Sequence, residues 1–402
     1  MKLDKIFLFF IMMFSGFNFL SFFKIKGASY FQIVIIIYII LSIFFIKQYK
    51  SPKFKPYIIY KFYIISSIPA FIIGIILNDS IINEGFLVFL YTLFPFLLFR
   101  FSFFRLNASL FKRLLLTLCF SMFLIVIIGW MLRMSIIPTN TFFDVKESEY
   151  LLGYWGISYL ESTRNHDYFY PLVGLCISIY FYTIGYFSRA SILLISLFSI
   201  TLIASNSRAA IIIVVFSIFL LLKNSSYKYS FVFLLIMISI VLLNYKYIKS
   251  EFSSKYQPII SSIYESNNSN SNFSNSNRLI IIDDALQSSM GNPFGYGFAN
   301  YSYIYDKNFS GHISSSGENA YLTVLVERGL VSFCFFIFLF FYFFKENFNS
   351  KKNSLNTFLV PTLSIYFLFN YELNSIFPAF IFYIILIDNY LNHKTKKTLK
   401  YE

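Results

Sequence analysis

The chain has 402 residues, 57% of them hydrophobic and only 13% charged, with a formal net charge of +14. A soluble globular chain is about a quarter charged, so this composition excludes an ordinary soluble domain. Its Lys and Arg sit in short loops between apolar runs, which reads as cytoplasmic loop bias and not as a nucleic-acid surface.

Apolar runs of about 18 residues or more recur, long enough to cross a ~30 Å hydrocarbon core as helices. The N-terminus, MKLDKIFLFFIMMFSGFNFLSFF, has a basic start and an apolar body. It has no small-residue cleavage site and reads as a retained first span. The pattern predicts an all-α polytopic membrane protein of about 12 transmembrane helices, at 4–23, 28–46, 57–77, 82–99, 113–132, 168–187, 189–204, 208–222, 229–245, 319–344, 354–371 and 372–390. The last pair also reads as one re-entrant hairpin around Asn370 and Glu372. With the N-terminus inside, 20 of the 33 Lys and Arg fall in inner segments, which places both termini in the cytoplasm. Residues 1–402 then form one integral membrane domain with two far-side segments, 133–167 and a large loop at 246–318. No internal repeat is visible, which disfavours a transporter of two inverted halves.

Cys119, Cys176 and Cys334 each lie in an apolar run and are expected to be small buried hydrophobes. No HExxH or other compact ligand set is present, so no metal site and no cofactor is expected.

The chain is organised around Ser276–Phe333, which begins in its largest polar excursion and ends inside an apolar span. A Ser/Asn run, NNSNSNFSNSN, precedes it and reads as mobile. NRLIIIDDALQSSM has apolar residues near helical spacing, with Asn277 as the expected N-cap. GNPFGYG must be a turn, and a phosphate cradle there is the weaker reading. Glu318 sits at the outer mouth of the tenth span, where a carboxylate serves as a helix cap or as a base. Asn319, Thr323 and Glu327 are spaced by four and share one stripe. On a straight helix Glu327 would lie about 12 Å below the mouth, in an ion pair with another span or in contact with substrate. Arg164, Arg208 and Arg278 fall at the same interface and together suit an anionic headgroup, since guanidinium forks grip phosphate bidentately. For Arg208, non-specific contact with lipid phosphate is an equal reading. His166 and His312 are acid–base candidates, although loop histidines are commonly only solvated. Tyr296, Tyr301, Tyr303 and Tyr305 read as an interfacial aromatic belt in preference to a sugar platform.

These pieces resemble the O-antigen polymerase and O-antigen ligase superfamily of integral membrane glycosyltransferases. TRNHDYFYPLVG resembles the family's Arg-containing start of a middle span. SNSRAA resembles its Ser-Arg motif, and NRLIIIDDALQSSMGNPFGYGFANY its loop segment from Arg to a Pro-Gly-x-Gly turn. GHISSSGENAYLTVLVERGLVSF resembles its signature His-Asn-x-Tyr-Leu followed by Glu-x-Gly. The resemblance implies a GT-C-like fold in a bacterial inner membrane. It implies metal-independent, inverting transfer of a glycan from an undecaprenyl-diphosphate carrier at the periplasmic face. By position, Arg208 and Arg278 would hold the diphosphate with Arg164, and Asn319 and Tyr321 would contact substrate. The family's histidine position is Glu318 here, so Glu318 or His312 would be the base, which leans away from the ligase. The expected function is polymerisation of lipid-linked repeat units into O-antigen or capsular polysaccharide. Transfer of the glycan to lipid A core is one alternative, and a flippase for the same lipids is another. Expected partners are the lipid-linked donor and acceptor, membrane lipid and a chain-length regulator, with no nucleic acid.

Overall fold

A computed structural model of the chain describes residues 10–11, 24–25, 28–45, 51–77, 82–103, 105–133, 168–204, 208–224, 273–301, 319–348, 354–369 and 376–398. Apart from a two-residue antiparallel pair, Lys24–Ile25 against Ala28–Ser29, the described residues are helices and their connections. In chain order the helices are α1 (Tyr30–Phe45), α2 (Lys55–Leu77), α3 (Ile82–Ser102), α4 (Ala108–Arg133), α5 (Phe169–Thr183) and α6 (Ser188–Ala204). They continue as α7 (Arg208–Asn224), α8 (Phe273–Gly291), α9 (Ala320–Phe348), α10 (Asn356–Phe369) and α11 (Ile376–Thr398). The expected spans 4–23 and 229–245 lie almost wholly outside the described residues, as do the two long far-side segments up to α8.

Four of these helices are long and apolar enough to cross a membrane: Lys55–Leu77, Glu84–Ser102, Ala108–Met131 and Ala320–Glu346. Side chains such as Phe44, Ile76, Leu193, Val215, Phe219 and Phe341 stand exposed on the outside of the bundle. So much apolar surface is untenable in water and natural against hydrocarbon. The whole is consistent with a polytopic membrane protein.

The core runs through α5, whose residues Phe169–Phe181 are all buried, as expected of a helix that is apolar all round. α6, α4 and α10 pack on it. Small and hydroxyl side chains let the helices approach, as is common where lipid supplies no hydrophobic drive. Ser66 and Ser67 of α2 lie 3.0 and 3.2 Å from Ser332 of α9, and Trp130 donates to Thr201 at 3.0 Å. Pro95 interrupts α3, and the Tyr60 hydroxyl donates to the carbonyl of Thr92 in the turn before it. Side chains of neighbouring helices commonly serve the polar groups that such prolines loosen. Cys119 and Cys176 are buried as expected, but Cys334 is exposed, because it falls on the outward face of α9.

At the other end of the core Asp388 of α11 accepts the backbone N–H of Asn356 at 3.0 Å, and the Asn356 side chain donates to Ile385 at 2.9 Å. The later helix thus caps the start of the one before it, giving α10 an acceptor for a first-turn donor that would otherwise have none.

Candidate functional site

α9 is the element that positions the site, and it is not one helix. At Gly329 the backbone takes φ 83° and ψ 169°, a region essentially confined to glycine. The straight helix expected over 319–344 is therefore corrected to two segments that meet at Gly329.

A break inside a helix frees carbonyls, which cost several kcal/mol each if left unpaired away from water, by roughly the figure for unpaired amides. Here the Pro-Gly turn fills them. Tyr296 donates to the carbonyl of Val326 at 3.0 Å and Gly297 to that of Glu327 at 2.9 Å, while Leu330 donates to the carbonyl of Pro293 at 2.8 Å. Residues 293–297 thus form a wedge bonded along the break. The wedge is braced from α2, because Gly297 meets Gly74 so closely that a Cβ on either would overlap the other's Cα. Asn292 and Asn300 tie its ends, donating at 2.9 Å to the carbonyls of Gly295 and Tyr296. The amides of Gly295, Tyr296 and Gly297 all donate to protein carbonyls, which rules out the phosphate cradle considered from the sequence.

Glu327 and Arg328 stand at the break, 2% and 3% exposed. Glu327 accepts the amide of Tyr301 at 3.4 Å, a contact from the loop backbone that the sequence did not suggest. Arg328 donates to the hydroxyl of Tyr63 on α2. Its guanidinium also lies 4.7 Å from the ring centre of Phe298 and 5.5 Å from that of Tyr63, within cation–π range. A small cavity beside it is lined by Tyr60, Tyr63, Thr92 and Phe336. Gly329 and Tyr63 are not singled out by the sequence, and Arg328 is visible there only as a neighbouring candidate partner for Glu327. The signals were a glycine in mid-span and two glycines in the facing turn.

At the mouth, Asn319 accepts the amide of Leu322 at 2.7 Å, which makes it the N-cap of α9. Sequence reasoning gave that role to Glu318 as one of two readings. Tyr321 is half-buried and donates to the carbonyl of Ser364 on α10 at 3.3 Å, joining the two helices. Thr323 is buried and bonds back to Asn319.

Arg278 lies within α8 and Arg208 opens α7. Arg164, His312, Glu318 and the Tyr303–Tyr305 pair lie outside the described residues. α8 begins at Phe273, earlier than the expected cap Asn277, which is inside the helix; Ser and Asn cost a helix only a fraction of a kcal/mol each, about 0.5, and α8 packs along α9. On α8, burial and then the neighbouring Asp283 push the Asp284 carboxyl above its ordinary range.

Residues 191–337 match a family model described as O-antigen ligase. The resemblance to the O-antigen polymerase and ligase superfamily holds over that region. The match takes in Arg208, Arg278, His312, Glu318, Asn319 and Tyr321, and with them the wedge and the break; Arg164 precedes it. It supports a ligase- or polymerase-type membrane glycosyltransferase acting on lipid-linked glycans. It lends no support to the flippase or to a chain-length regulator as partner. No curated protein matches the chain.

Proposed function

We propose that the protein is a polysaccharide polymerase that joins undecaprenyl-diphosphate-linked repeat units at the periplasmic face of the inner membrane, with both termini cytoplasmic. The observation that carries this reading is the family match over 191–337, which covers nearly every residue expected at the site. The acceptor unit's hydroxyl attacks the anomeric carbon of the donor. The new C–O bond forms as the bond to the diphosphate breaks, with inversion, and the hydroxyl proton passes to the base. Glu318 is that base, or His312 from the same loop; a carboxylate serves if partial burial raises its basicity. Arg208, Arg278 and Arg164 neutralise the departing diphosphate in place of a metal ion. Asn319 gives its side-chain oxygen to the cap and so contributes to substrate through its position at the mouth, beside Tyr321.

Glu318, at the position where the ligases more regularly carry histidine, favours polymerisation over transfer to lipid A core. The test is polymer laddering in a deletion strain complemented with Glu318→Gln, His312→Ala or Arg278→Ala at matched protein level. A polymerase predicts single repeats on the core for the base variant and for Arg278→Ala. Bare core would assign the ligase instead. Normal ladders from all three would remove the site.

A further inference from the structure

α8 carries a row of large apolar side chains that the described residues leave exposed. Ile282 is 39% exposed, Leu286 43% and Met290 82%, and Phe294, just past the helix end, is 57% exposed. The three helical members recur every fourth residue and so lie along one line, about 12 Å long at ~1.5 Å per residue. The line flanks the seam by which α8 packs on the bundle, where Ala285 and Ser289 are buried. On its other side stand Asp283 and Gln287, both exposed and joined by a 2.9 Å hydrogen bond. Buried seam, apolar line and polar line thus follow one another round the helix.

The row does not end with α8. Pro293 is bonded to Leu330, and Leu330 and Val331, the first residues after the break in α9, are 48% and 50% exposed. Beyond them the outward face of the span continues with Ile337, Phe338 and Phe341. The uncovered row on α8 therefore joins the hydrocarbon-facing surface of a membrane-crossing segment. Leu330–Phe348 is about 28 Å long, close to the ~30 Å of a hydrocarbon core. With that segment spanning the core, the break and the end of α8 come at its edge.

We propose that α8 is an interfacial helix, lying on the bilayer with Ile282, Leu286, Met290 and Phe294 in the boundary of headgroups and acyl chains and with Asp283 and Gln287 turned to water. Helices of this kind seat their apolar side about 5–10 Å into that boundary. The occupant of the row is bulk membrane lipid. The inference stands on exposure and continuity and does not depend on which glycan is transferred. Its consequence is that the large loop is held at the membrane from both ends of the wedge, by lipid through α8 and by the break in α9.

The experiment uses the full-length protein carrying Cys334→Ser, which removes the exposed thiol and leaves the buried Cys119 and Cys176. Single cysteines are added as Leu286→Cys, Met290→Cys, Asp283→Cys or Gln287→Cys, labelled with a nitroxide, and reconstituted in vesicles of phosphatidylethanolamine and phosphatidylglycerol. Relaxation by oxygen, which concentrates in lipid, is compared with relaxation by a water-soluble nickel chelate. Labels at 286 and 290 are expected to favour oxygen several-fold, and labels at 283 and 287 to favour nickel. Nickel reaching all four alike would overturn the proposal by placing the row in water. Labels at 286 and 290 shielded from both reagents would overturn it in favour of a protein cover. Should Leu286→Cys fail to fold, Met290→Cys decides alone, since its side chain is 82% exposed and packs on little.

Discussion

Gly329→Ala is the substitution whose sign separates a broken α9 from a straight one. In a continuous helix, Gly→Ala stabilises by about 0.5–1 kcal/mol, because alanine loses less backbone freedom. At Gly329 the conformation is φ 83°, ψ 169°, and holding a non-glycine residue there costs about 1–3 kcal/mol. The added Cβ would also come within 2.4 Å of the Pro293 carbonyl. The wedge must then shift, loosening three backbone hydrogen bonds that contribute about 1 kcal/mol each. The expected loss is about 3 kcal/mol or more. Thermal unfolding of the purified protein in detergent, followed by intrinsic fluorescence, should show a clear fall in melting temperature. Hydrogen exchange should show the amides of Tyr296, Gly297 and Leu330 losing protection together. An unchanged or raised melting temperature would mean that α9 is continuous and the wedge does not seat in it.

Tyr63→Phe removes the acceptor of a buried charged hydrogen bond from Arg328 and should cost about 1.5–3 kcal/mol by thermal unfolding, while keeping the ring for the cation–π contact. Gly297→Ala and Gly74→Ala should each destabilise, because either Cβ would lie under 3 Å from the other residue's Cα. The double variant should lose less than the sum, since both perturb one contact. Asp388→Ala should destabilise by about 1–2 kcal/mol through loss of the cap on α10, with Asp388→Asn losing less because an acceptor oxygen remains; guanidinium titration of the detergent-solubilised protein would rank the two.

The sequence made the helices legible because nearly all of the signal is local. Runs such as LVFLYTLFPFLLF declare a span by hydropathy alone, and α3 is found where it was expected. The turn at GNPFGYG was legible for the same reason, since Pro and Gly act on their own backbone. What the turn does was not legible. The bonds from Tyr296 and Gly297 reach carbonyls some thirty residues away, and nothing in the spacing joins the turn to Gly329. The cap shows a milder version of the limit. Glu318 and Asn319 are both plausible caps, and only geometry assigns the bond to Asn319. Glu327 is buried, at the cost its place in a span implies, and one of its contacts is the backbone amide of Tyr301, which a search among charged residues does not find. Cys334 was misplaced because hydropathy does not say which side of a membrane helix faces lipid.

The wedge also has a consequence for how the protein is made. Residues 293–297 precede α9 in the chain, so they leave the ribosome before the span whose break they fill. When Ala320–Phe348 reaches the membrane, the carbonyls of Val326 and Glu327 need donors, and the turn that supplies them must already stand on the side of the bilayer that the loop occupies. A chain whose loop is delayed in crossing would insert α9 as an ordinary straight helix, and would then have to break it in place to reach the final fold. On the periplasmic placement proposed above, translocation of the loop would set the order of assembly, and a slow step there would show as a protease-accessible loop beside an already inserted span.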